Sequence, residues 1–364
     1  MTALPRRIVH LASGREWRGG QNQVLLLTRA LAARRDEVEQ IVITGRGTLL
    51  AERLVQAGVP VRTVGWSIGL SPAALLGAIA EGGRRPTLFH AHDAHALTLA
   101  GLAAAVTRSP FVATRRVDFH LRRRGFWVRA DRVIAISEAV RAILVSDGIP
   151  SSCITTVHSG IDVAGVRSIS AGDIRSRLGL PVAGPLVVTV GALVDHKDHA
   201  TLVEAATALR PRRPEVHWVI AGEGELRRDL EARIERLGMG DRIHLVGQIQ
   251  EPLRLIASAD VFVMSSKEEG LGTTVLDAMA LGVPIAATSG GGIPEMLSGG
   301  AGLLSPPQDP RALADSVERL LTEPALRETT RRAASARVEG FSATAMANGV
   351  LSVYRSVTES VDLK

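Results

Sequence analysis

The sequence predicts an α/β protein built from two parallel-sheet domains. Three observations carry that expectation. The chain has 364 residues, about two domains' worth and enough for two separate cores. Short apolar runs alternate with amphipathic stretches through both halves, the order that makes parallel sheets covered by helices. Between Ser159 and Pro185 that pattern lapses into Gly, Ser, Asp and Pro, as a domain boundary does.

In the first half the strand candidates are Ile8–Ala12, Gln40–Thr44, Val61–Val64, Leu88–Ala91, Phe111–Thr114, Arg132–Ile136 and Ile154–Val157. Helical periodicity covers Gln21–Arg34 and Ser137–Ser146, with Ser137 placed to cap the second. In the second half the strands are Leu186–Val190, His217–Ala221, Ile243–Val246, Val261–Met264 and Ile285–Ala287. Helices follow at His199–Leu209, Glu225–Leu237, Pro252–Ser258 and Thr273–Leu281, and a last one spans Ala343 to Val357. The domains are therefore expected at residues 1–165 and 166–342, with residues 343–364 as a terminal helical segment.

Hydrophobic residues make up 46% of the chain, so all of it should fold. The longest uncharged apolar run, Ala96 to Val106, is far short of the ~20 residues a membrane helix needs. The N-terminus has no long apolar core, which argues against a secretory signal. A single cysteine, Cys153, allows no internal disulfide and suits a reducing cytoplasm. The net charge of +6 is uneven: residues 1–165 carry 21 Arg against 12 acids, and the remainder leans acidic. Arg115, Arg116, Arg122, Arg123, Arg124, Arg129 and Arg132 cluster with Phe119, Phe126 and Trp127. Such a patch suits an anionic membrane surface or a phosphate-bearing partner, against the plainer reading of a solvated face in an arginine-rich chain. No nucleic-acid motif accompanies the charge, so nucleic acid is not expected as a partner.

The most informative stretch runs from Ser265 to Leu297: a strand end, a glycine-punctuated loop, a helix, a short apolar strand and a second glycine loop closed by an acid. Glu269 precedes Gly270-Leu271-Gly272, and Asp277 follows eight residues on, inside the helix. Backbone amides converging on a helix N-terminus make an anion site, and flanking carboxylates suit sugar and ribose hydroxyls. A nucleoside-diphosphate sugar has all of these groups. The motif E-G-L-G-T-T-V-L-D-A-M-A-L-G-V-P, residues 269 to 284, resembles the Glu-x7-Glu signature of the family-4 glycosyltransferases, with Asp277 where the family usually has Glu. The likeness extends along nearly the whole chain, from Gly19-Gly20 to the final helix.

The resemblance implies the GT-B fold, two Rossmann-like domains facing each other across a cleft, with the last helix returning to the first domain. It implies a retaining enzyme that moves a sugar from a nucleoside-diphosphate sugar to a hydroxyl of a glycan or glycolipid acceptor, without a bound metal or other cofactor. His92, Lys197 and Glu269 match the catalytic positions: Lys197 against the leaving diphosphate, Glu269 on the donor sugar, His92 orienting that sugar. Gly19, Gly20, Gly191, Gly222, Gly247, Ile249, Gly270, Leu271, Gly272, Thr273 and Asp277 match positions around the donor, with Asp277 on the ribose. Arg115 and Arg116 are candidates for the acceptor. The family also shows G-R-L-x-x-x-K; this chain has Ala192 in place of that Arg, which leaves Lys197 and backbone amides, or a substitute such as Lys267 or an arginine from the other domain, to neutralise the diphosphate. Bacterial cell-surface glycan or lipopolysaccharide synthesis is the expected setting, in the cytoplasm and peripheral to the inner face of the cytoplasmic membrane.

Two rivals come from other classes. His90, His92 and His95, with Asp93, could form the metal centre of a hydrolase, although H-x-H-D-x-H is out of register with the usual H-x-H-x-D-H. The missing Arg and the shortened Asp277 would also suit a sugar-nucleotide binder without catalysis. G-R-G at 45–47 and G-E-G at 222–224 both fail to complete G-x-G-x-x-G, which disfavours a dinucleotide enzyme. A glycosidase pair of Glu269 and Asp277 is disfavoured too, since eight helical residues advance about 12 Å.

Overall fold

The computed structural model describes residues 7–34, 36–66, 69–83 and 86–362. The chain divides into two compact units, Met1–Gly160 with Ser342–Lys364, and Ile161–Phe341. These divisions fall within five residues of the expected boundaries at 165 and 342.

The first unit holds a seven-stranded parallel sheet of β1 (Arg7–Ala12), β2 (Glu39–Gly45), β3 (Val61–Val64), β4 (Thr87–Ala91), β5 (Phe111–Arg115), β6 (Arg132–Ala135) and β7 (Ile154–Thr156). Their order is β3-β2-β1-β4-β5-β6-β7. Every residue of β1 and β4 is buried, as expected for central strands covered by helices on both faces. The core unites Ile8, Leu27, Leu31 and Leu88 with Val350, Leu351 and Tyr354 of the final helix, Ala343–Asp362. That helix therefore belongs to the core of the first unit, although 181 residues of chain come between.

The second unit holds a six-stranded parallel sheet of β8 (Leu186–Val190), β9 (His217–Ala221), β10 (Ile243–Gly247), β11 (Val261–Met264), β12 (Ile285–Thr288) and β13 (Leu303–Ser305), in the order β10-β9-β8-β11-β12-β13. Its core is built on Val187, Leu202, Trp218, Ile220, Val263 and Leu313. In each sheet the strand order reverses once, between β1 and β4 and between β8 and β11. Loops leaving the C-terminal ends of those strand pairs diverge, and the crevice between them is where open α/β sheets bind ligands. Among the described residues no helix is long and apolar enough to cross a membrane.

Candidate active site

In the second unit the reversal point gathers most of the predicted donor residues. Beyond β8, the side chain of Lys197 passes Gly191, so that a Cβ there would lie 3.9 Å from Lys197 Cδ and Cε. Beyond β11, Glu269 Oε2 accepts an ion-paired hydrogen bond from Lys197 Nζ, joining groups 72 positions apart. Both side chains are mostly buried, at 18% and 13% exposure. Ser266 Oγ lies 3.4 Å from the same carboxylate oxygen, and Ser265 Oγ donates to the Lys197 carbonyl at 3.0 Å. The backbone beneath is tight. Gly291 has φ +55°, and a Cβ there would lie 2.0 Å from the Glu269 carbonyl oxygen. The neighbouring Gly292 N–H donates to that oxygen at 2.8 Å.

Gly272, at φ +86°, opens the helix Thr273–Ala280, whose first turn has no side-chain cap. The first amides of a helix lack intrahelical partners, so those at Thr273 and Thr274 remain available to an anion. Leu271 is 1% exposed; its side chain is core, and only its backbone can meet a ligand. Gly222 approaches Gly191 so closely that a Cβ there would be 1.9 Å from the Gly191 oxygen, and its N–H donates to the Gly247 carbonyl at 2.9 Å. Ile249 packs at the rim of the adjacent core cluster. Gly247, Gly222, Gly191, Lys197, Glu269 and Gly272 thus lie along one unbroken chain of contacts.

Asp277 stands one helical turn beyond Thr273, partly buried, with no hydrogen-bond or ion-pair partner among the described residues. Burial pushes its pKa up to about 7. Lys267, one candidate to replace the missing Arg, pairs through Nζ with both Asp195 oxygens at 2.9 Å.

In the first unit the outcome is mixed. His92 follows β4 and is 4% exposed. Its Nδ1 lies 3.2 Å from Arg116 Nη2, and its Nε2 lies 3.0 Å from His10 Nδ1. A guanidinium only donates, so His92 Nδ1 must accept; the proton of the neutral ring then sits on Nε2 and is donated to His10. Burial, and then the neighbouring His90, His10 and Arg116, hold the His92 pKa well below the usual histidine value, which keeps the ring neutral. Arg116 also lies against the start of the helix Gly19–Ala32, 3.8 Å from where a Gly20 Cβ would be. Burial lowers its pKa to about 10, and its Nε has no hydrogen-bond partner among the described residues. Arg115, by contrast, turns into its own loop: Nη2 donates to the Phe119 carbonyl at 2.5 Å, and the guanidinium lies 5.7 Å from the Trp127 ring centroid. The structure therefore brings Arg116, and not Arg115, to His92.

Two expectations need correction. The first helix does not begin at Gln21; Gly19 and Gly20 are its first two residues, after Arg18. The Arg18 N–H donates to Gln21 Oε1 at 3.2 Å, which fixes the first turn despite the glycines. The hydrolase triad also does not assemble. His95 is exposed at a helix start, and Asp93 caps that helix while accepting from Ser13 N and Oγ at 2.7 and 2.6 Å. The histidines that do meet are His10, His90 and His92, with candidate ligand nitrogens within 4.8 Å of one another. His90 bonds Tyr354 OH at 2.6 Å and Thr114 Oγ1 at 2.7 Å, while His92 is occupied by Arg116 and His10. A metal there would have to displace these partners and lie beside a guanidinium. His10, Thr114 and Tyr354 went unnoticed in the sequence, because register and a distant helix bring them in: His10 pairs with His90 across β1 and β4.

The chain matches two family models in succession: the one for Glycosyltransferase Family 4 over residues 17–164, and the one for Glycosyl transferases group 1 over residues 171–337. It is 32% identical over 189 residues to the alpha-D-kanosaminyltransferase of Streptomyces kanamyceticus, covering 51% of this chain and 49% of that protein. It is 33% identical over 155 residues to the lipopolysaccharide core biosynthesis glycosyltransferase LpsE of Rhizobium meliloti, covering 42% of this chain and 44% of that protein. The matches thus span about half the length of these curated relatives. Among solved structures, Anabaena HepE in complex with UDP superposes with a TM-score of 0.83 at 20% identity, over 96% of this chain and 100% of that one. Two sheets with one reversal each, and a family model matching each half, place the chain in the family-4 glycosyltransferases with the GT-B fold.

Proposed function

We propose that this protein is a retaining glycosyltransferase that moves a sugar from a nucleoside-diphosphate sugar to an acceptor hydroxyl, without a metal, in cell-surface glycan or lipopolysaccharide assembly. The observation that carries the reading is the Lys197–Glu269 pair beside the uncapped helix N-terminus at Gly272. Lys197 and the amides of Gly270–Thr273 would stabilise charge on the departing diphosphate, which is where charge develops in the transition state. Glu269 would hold donor-sugar hydroxyls, and Asp277 the ribose. In the first unit a ligand that draws Arg116 away would free His92 Nδ1 to accept from a sugar hydroxyl. Retention follows from the family resemblance, in which a diphosphate oxygen takes the acceptor proton on the face the leaving group vacates. The UDP bound to HepE and the lipopolysaccharide role named for LpsE support the donor class and the setting.

A thermal-shift screen of UDP, GDP, ADP and CDP in EDTA tests the reading. One nucleotide should stabilise the protein, and Lys197→Ala should weaken the effect; stabilisation by divalent metal alone would sink the proposal. Membrane attachment belongs to the same reading. Arg122, Arg123, Arg124 and Arg129 are exposed, next to Val117, Phe119 and Val128 at 40%, 46% and 49% exposure. Cations near an anionic leaflet are worth ~1 kcal/mol each and are screened by salt. The protein should co-sediment with phosphatidylglycerol vesicles at low salt and be released at high salt, with Arg122→Glu/Arg124→Glu binding poorly throughout. Equal sedimentation with neutral vesicles would count against this surface.

A further inference from the structure

We infer that Glu269 discriminates between the intact donor and the free nucleoside diphosphate, by holding Lys197 whenever no sugar is present to take its place. This rests on the donor-site reading above. Lys197 Nζ is committed to Glu269 Oε2 in the structure, and both groups are largely withdrawn from water. An anion that takes Lys197 fully breaks this pair, and one that shares its three donors still weakens it. Breaking a poorly solvated pair from one side is costly, because the remaining charge is left without compensation. The cost falls on Glu269, whose other side-chain partner among the described residues is Ser266 Oγ at a long 3.4 Å.

The two ligands differ in what they offer that carboxylate. A nucleoside diphosphate brings only negative oxygens near it and no hydrogen-bond donor at the sugar position. A nucleoside-diphosphate sugar brings hydroxyl donors on the same molecule that takes Lys197. The exchange is then balanced: phosphate replaces carboxylate on the lysine, and hydroxyls replace lysine on the carboxylate. Glu269 therefore weakens the binding of the leaving product and strengthens that of the donor, and after transfer the pair re-forms as the diphosphate departs. Among the described residues Lys267 is already bonded to Asp195 and is not free to replace Lys197 on Glu269.

Calorimetric titration of UDP, GDP, ADP and CDP, and of UDP-glucose and GDP-mannose, into wild type, Glu269→Gln, Lys197→Met and the double variant tests this. Glu269→Gln should tighten the nucleoside diphosphate about fivefold or more, within the usual range of coupling between sites, and weaken the matching sugar nucleotide. In the Lys197→Met background the same change should leave the diphosphate affinity unaltered, because there is no lysine to release. Equal tightening in both backgrounds would mean plain charge repulsion and overturn the proposal, as would unchanged or weaker diphosphate binding in Glu269→Gln. Glu269→Asp provides an independent arm if the Gln variant folds poorly. It keeps the charge but falls a methylene short of Lys197, so tighter diphosphate binding there reports loss of the pair alone, and no tightening overturns the proposal. Failure of every nucleotide to bind wild type would instead remove the donor-site reading itself, and the inference with it.

Discussion

Asp277 shows how one residue can tie stability to function. Its carboxyl is partly buried, without a partner among the described residues, and its pKa is pushed up to about 7 by burial. An unfolded aspartate titrates near 4. Between those values the folded state holds the proton more tightly, so the contribution of Asp277 is fully present below about pH 4 and is lost as pH rises through 7. His199 acts in the opposite sense in the same unit, because burial lowers its pKa to about 4 and stability is lost as pH falls below the ordinary histidine range. The comparison of wild type with Asp277→Asn isolates the carboxyl. Asp277→Asn should gain stability relative to wild type from pH 4 to 7, by at most about 1.4 kcal/mol per pH unit, as read by urea denaturation at several pH values. A constant difference across that range would show that the carboxyl titrates normally. A ribose hydroxyl donating to the ionised form would flatten the dependence, so a bound nucleotide should reduce it.

At the level of elements, the sequence was most readable where structure is local. The helix His199–Leu209 and the strand Leu186–Val190 have the bounds their periodicity predicts, and Ser137 caps its helix by accepting from Val140 N. The donor loop was readable for the same reason, since Glu269, Gly272 and Asp277 lie within one loop-helix unit. β13 leaves no signal in the sequence because it is only three residues long, has a half-exposed centre and follows a Gly-rich turn, so no alternation can develop. The first helix starts two residues before its periodicity predicts: glycine is a poor helix former, and the Arg18–Gln21 contact that overrides this depends on side-chain geometry. In the first unit the environment of His92 could not be read. Its partner His10 is 82 positions away, and the Tyr354 that anchors its neighbour His90 is 264 positions from that residue. Spacing within a motif says nothing of contacts made by sheet register and by a returning helix. The Lys197–Glu269 pair is an intermediate case: each residue stands in a motif, but their direct contact, 72 positions apart, is made only by the fold.

For the whole molecule, the chain leaves the first unit at Gly160 and re-enters it at Ser342, so the second unit is inserted within the first. The join is close: a Cβ on Gly160 would lie 2.7 Å from the Ser342 oxygen. Each unit has its own apolar core, and Leu351 and Tyr354, both 0% exposed, complete the first only when the final helix docks. Two cores of this kind should give two calorimetric transitions, where a single cooperative domain gives one. The residues proposed for the nucleoside diphosphate all lie in the second unit. A ligand that binds only one unit stabilises that unit by mass action, about 2.7 kcal/mol at 100 times its dissociation constant. The nucleotide that answers in the thermal screen should therefore raise one transition and leave the other in place, and Lys197→Ala should reduce that shift. Deleting the final helix should abolish the other transition, because it opens the first core while leaving the second intact. Equal shifts of both transitions by the nucleotide would overturn the assignment of the nucleotide to the second unit alone.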